Sequence, residues 1–65
     1  MMTTMTILSH QVNNETGISV KLIEQADKRG NYRIIVRDDD AEEVITIIMH
    51  NDRAVLEAKI PAYLR

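Results

Sequence analysis

A chain of 65 residues holds one domain at most and buries only about 60% of the surface its unfolded form exposes, so its single core needs reinforcement. It has no cysteine, which excludes disulfides, zinc ribbons, iron–sulfur clusters and thiol nucleophiles together and leaves association or a cysteine-free metal site. Eight Lys and Arg against ten Asp and Glu give a net charge of −2 with the basic residues scattered, which removes the main driver of direct nucleic-acid binding.

Residues 1–65 are read as one small domain. Residues 4–12 (TMTILSHQV) make a weak strand, because Met5 and Ile7 alternate with threonines while Leu8 and His10 blur the period. The segment 13–17 (NNETG) is a turn, with Asn and Gly able to take positive φ. Residues 18–25 (ISVKLIEQ) place Ile18, Val20 and Leu22 on one face and Ser19, Lys21 and Ile23 on the other. A connection follows at 26–31 (ADKRGN), with Lys28 and Arg29 side by side.

Residues 32–38 (YRIIVRD) alternate more cleanly, with Tyr32, Ile34 and Val36 opposite Arg33, Ile35 and Arg37. After the acidic loop 38–43, the run VITIIM at 44–49 is apolar everywhere except Thr46 and reads as a strand covered on both faces. An even register across that hairpin places Ile34 and Val36 on the face of Ile45, Ile47 and Met49. The tail 51–65 (NDRAVLEAKIPAYLR) is rich in Ala, Glu, Leu and Lys, which favour helix over strand. Its pattern predicts a helix over 52–60 capped by Asn51, with Leu56, Ile60 and Leu64 facing the sheet and Pro61 kinking or ending it. The fold class is therefore α+β, an antiparallel β-meander of three to four strands with one C-terminal helix packed on one face. An all-β meander is the alternative if 52–60 is extended.

The uncovered face of such a sheet is expected to carry Ile23, Ile35, Val44 and Ile48 beside Lys21, Arg33, Arg37, Thr46 and His50. Four large aliphatics in one patch exceed what a monomer of this size normally leaves wet. Arg33 and Arg37 with Ile35 between them have the Arg-plus-aliphatic composition of a protein interface.

Few residues here suggest chemistry. Asp38, Asp40 and Glu42 imitate the first ligands of a calcium loop, but Glu43 stands where that loop needs Gly and Met49 where it needs a bidentate Glu. The run is read as a solvated hairpin loop whose charges guard the neighbouring strand, with a weak cation site or an electrostatic docking loop as its functional alternatives. His10 and His50 are read as surface residues at strand ends. No hydroxyl lies in a nucleophile elbow, and Ser9 and His10, as successive strand residues, point to opposite faces. Gly17 and Gly30 fall in separate turns, so there is no phosphate-cradling loop. A fold this small has little room for a pocket of ~300 Å³. No catalytic residue, cofactor or metal is expected, and the chain is read as non-enzymatic.

No stretch reaches the ~20 apolar residues that cross a bilayer, and the start of the chain lacks the pattern of a signal peptide. The protein is read as cytoplasmic without membrane contact, and the sequon at Asn14 as a chance match. The expected function is a protein-interaction or regulatory accessory domain, homodimeric through a sheet face made of Ile23, Arg33, Ile35, Arg37, Val44, Ile48 and His50. A further protein partner is expected but not identified. A second reading is an acidic decoy or inhibitor, in which Asp38, Asp39, Asp40, Glu42 and Glu43 dock on a basic groove of a nucleic-acid-handling protein. A third is a binder of a small ligand or metal, with its site built across two chains.

Overall fold

A computed structural model describes residues 5–25 and 31–65. Among these residues the chain forms strands β1 (Met5–Asn13), β2 (Ile18–Gln25), β3 (Tyr32–Asp38) and β4 (Glu43–His50), then helix α1 (Arg53–Tyr63). The strands pair antiparallel in the order β1-β2-β3-β4, and α1 packs across one face, which is the α+β meander expected. The expected connection at 26–31 falls outside the described residues except for Asn31.

Alternation in β2 and β3 builds the core. Val20 and Leu22 of β2 and Ile34 and Val36 of β3 pair across the strands and meet Leu56 and Ile60 of α1, one turn apart on the helix. Leu8, Ile18, Tyr32, Ile48, Tyr63 and Leu64 close the periphery of this cluster. The result is a slab of one sheet layer and one helix layer, only 15 Å thin along its shortest Cα axis.

Helix α1 begins one residue later than expected. The cap is Asp52 and not Asn51: its backbone is extended and its carboxylate accepts from the Ala54 N–H at 3.0 Å. Both residue types cap well, so composition alone does not separate adjacent candidates, and the carboxylate adds a favourable charge at the helix's positive end. The Asp52 N–H in turn donates to His50 Nδ1 at 2.9 Å, which fixes the entry to the helix. Pro61 lies inside α1 on its exposed side, and the helix runs only two residues beyond it, consistent with the donor that proline lacks.

At the other end of the slab the two hairpin loops and the helix terminus converge. Gly17, at φ 76°, donates its N–H to the Asn13 carbonyl at 2.9 Å, and its own carbonyl accepts from the Asp39 N–H at 2.8 Å. A Cβ at this position would fall on the Asp40 carboxylate. Asn13 Nδ2 donates to the Leu64 carbonyl at 2.6 Å, satisfying an acceptor at the helix's C-terminal end.

The face assignment of β4 requires a correction. Beside the loop Arg37 pairs with Val44, but further along Val36 pairs with Thr46 and Ile34 with Ile48. Ile45 is the extra residue of a β-bulge. A one-residue bulge reverses the facing of everything beyond it, so Thr46 and Ile48 lie on the helix side, while Ile47 and Met49 lie on the open side. Thr46, Ile48 and His50 therefore leave the expected open-face set, and Ile45, Ile47 and Met49 leave the expected core.

Candidate functional site

The open face can be written as three rows running across β1, β2, β3 and β4, because each strand-pair register is known. Beside the hairpin loops the row is Val12, Ser19, Arg37 and Val44; the middle row is His10, Lys21, Ile35 and Ile47; the far row is Ile7, Ile23, Arg33 and Met49. Of the seven residues expected to form the contact, Ile23, Arg33, Ile35, Arg37 and Val44 are brought together here. Ile48 instead packs against the core, and His50 sits across from Tyr32 on the helix side. Ile23 is buried, although it lies outside the core cluster, between its cross-strand neighbours Ile7 and Arg33.

Ile7, Val12, Ile47 and Met49 join the face although sequence reasoning did not place them there. All four are about half exposed or more, with Met49 at 68%. Ile7 could have been found: a bulge in β1 lets Ile7 pair with Ile23 and Ser9 with Leu22, and the adjacent apolar pair Ile7-Leu8 that blurred the period is its trace. Ile47 and Met49 carry no such mark, because their neighbours are equally apolar.

The polar part of the face is basic. Each row holds one cation, Arg37, Lys21 or Arg33, and His10 joins the middle row. Asp39 at the loop end is engaged with this face: its Oδ1 accepts from Arg37 Nη1 at 3.0 Å and from Ser19 Oγ at 3.1 Å. A depression of about 210 Å³ lies among His10, Ser19, Lys21, Ile35, Arg37 and Asp39.

The acidic loop is partly consumed by its own fold. Asp38 Oδ1 accepts from the backbone N–H groups of Asp40 and Ala41, both at 3.1 Å, and Asp39 serves Arg37 and Ser19. Asp40, Glu42 and Glu43 are exposed. Among the described residues no three histidine or acidic side chains converge as a metal site would need.

A second depression, at the sheet end where α1 begins, measures about 350 Å³, larger than chain length suggested. It opens between the ends of β2, β3 and β4, where the chain leaves the sheet, and its lining includes Tyr32, Arg33, Met49 and His50. The Glu24 carboxylate, across the strand pair from Tyr32, raises the phenol above its ordinary value. His50 is occupied as acceptor for the Asp52 N–H. The described lining holds no serine, threonine or carboxylate.

Compared with protein-family models, with curated proteins and with solved structures, the chain finds no match. Among the described residues no helix is long and apolar enough to cross a membrane.

Proposed function

We propose that this protein is a non-enzymatic interaction module, a regulatory or accessory domain that works through the open face of its sheet and forms a homodimer there. The observation that carries the reading is the composition of that face. Exposed Ile7, Val12, Val44, Ile47 and Met49 surround buried or half-buried Ile23 and Ile35, with arginines at both ends of β3. Fully burying a large aliphatic side chain contributes roughly 1.5–3 kcal/mol. Several per chain offset the ~4–15 kcal/mol that association costs. A second copy supplies the same apolar patch, and a two-fold pair is the simplest closed arrangement. Arg33 and Arg37, at opposite ends of β3, then reach the rim and meet carboxylates of the other copy.

Sedimentation at micromolar concentration tests this reading. The wild type is expected to run as a dimer or larger, and Ile35→Glu or Ile7→Glu to stay folded but sediment as a smaller species, because each places a carboxylate in an apolar contact. A folded wild-type monomer at that concentration would overturn it. The decoy reading draws on the exposure of Asp40, Glu42 and Glu43. Salt separates the two, since a carboxylate cluster on a basic groove weakens steeply with ionic strength and an aliphatic contact hardly responds.

A further inference from the structure

The open face is not the whole of the apolar surface left uncovered. β4 lies at the edge of the sheet, where a strand is expected to carry charge or other protection, yet Val44, Ile45, Ile47 and Met49 are all exposed. From Val44 to Met49 it contains no charged residue and no proline. β1, at the opposite edge, is built differently. It carries Thr6, Ser9, His10, Gln11 and Asn13 and is interrupted mid-strand by the bulge after Ile7, devices that discourage a further strand from adding. The bulge in β4 sits near its start and leaves a regular run, Thr46–His50, along the outer edge.

We propose that the outer edge of β4 pairs antiparallel with the β4 edge of a second copy, about a two-fold axis normal to the sheet. Symmetry restricts the register. A two-fold normal to the sheet keeps each side chain on its own side, and directly opposed residues in an antiparallel pair share a face. Only registers centred on a residue satisfy both conditions.

Centring on Ile47 pairs uncharged residues throughout. Ile47 meets its own copy, Thr46 meets Ile48 and Ile45 meets Met49, and the regular ladder ends there because the bulge leaves Val44 on the open side and His50 on the helix side. These pairs are largely β-branched or apolar, the kind that stabilise a ladder, and no like charges face each other. That absence of repulsion is what favours a second copy. The open face, by contrast, carries three cations and needs the partner's rim carboxylates. Ile47 and Met49 of both copies then lie side by side on one continuous open face, with both helices on the other. This contact is separate from the face contact of the proposed function and does not depend on it. Where both form and their two-folds intersect at right angles, they close four chains into one assembly.

Because the chain has no cysteine, single-cysteine variants report the contact directly. Opposed Cα atoms in an antiparallel pair lie about 4.5–5.5 Å apart, within reach of a disulfide. Sheets packed face to face lie about 10 Å apart, beyond it. In the Ile47-centred register two copies of Met49 are offset by four residues, or roughly 14 Å. Under mild oxidation Ile47→Cys is expected to form a disulfide dimer at least about tenfold faster than Met49→Cys, although Met49 is the more exposed position. The same ratio is expected with Ile7→Glu added, which disables the open face far from β4. Met49→Cys crosslinking as fast as Ile47→Cys would overturn the edge pairing, as would loss of the Ile47→Cys advantage in the Ile7→Glu background. Rapid Ile47→Cys crosslinking together with sedimentation indifferent to Ile7→Glu would sustain the edge pairing and remove the face contact instead.

Discussion

Asn13 does more for this fold than its place at the end of a weak strand suggests. Its Oδ1 accepts from the Glu15 N–H at 2.9 Å, its carbonyl from Gly17, and its Nδ2 reaches Leu64. One side chain thus ties a turn to a helix terminus 51 residues away. The turn was legible, because Asn and Gly have local conformational preferences; the long-range bond was not, because nothing near Asn13 encodes it. At the other end of α1 the cap can be separated by substitution. Asp52→Ala should cost about 1 kcal/mol of stability and Asn51→Ala only a few tenths, measured by urea unfolding. Equal costs would mean that the cap is not localised at Asp52.

At the scale of elements, β2 and β3 were readable because polar and apolar residues alternate along them, so their core face follows from their parity. β4 has no such contrast. Val44 to Met49 is apolar on both sides apart from Thr46, and a strand of that kind leaves its facing to the turn. Beside the loop the register is the one that would have put Ile45 and Ile47 in the core, and the bulge at Ile45 then reverses it. The helix was legible in its composition and in the spacing of Leu56 and Ile60, and its start only to within a residue. The reversal has a direct consequence. Ile48→Glu places a carboxylate beneath the helix without a partner, at a cost of about 3 kcal/mol or more to the chain's own fold, whereas Met49→Glu on the open side buries no charge within the chain and costs it no more than about 0.5 kcal/mol beyond any loss of the copy-to-copy contact. In urea titrations followed by circular dichroism, Ile48→Glu is therefore expected to be largely unfolded without urea and Met49→Glu folded. The opposite order would restore the unbulged register.

For the whole molecule, the decisive fact is that one helix covers one face of a two-faced sheet. That imbalance was visible in the sequence as a surplus of aliphatic positions over what a single helix can bury. Which aliphatics were left over was visible only in part, since Ile23, Ile35 and Val44 follow from alternation while Ile47 and Met49 depend on the bulge. The account stands on the open face being a contact between copies. The most direct measurement is an isotope-filtered NOE experiment on a mixture of ¹³C-labelled and unlabelled protein, which detects only contacts between chains. Intermolecular NOEs are expected at the methyl groups of Ile7, Ile35 and Val44; their absence at concentrations where the protein sediments as a dimer or larger would contradict it.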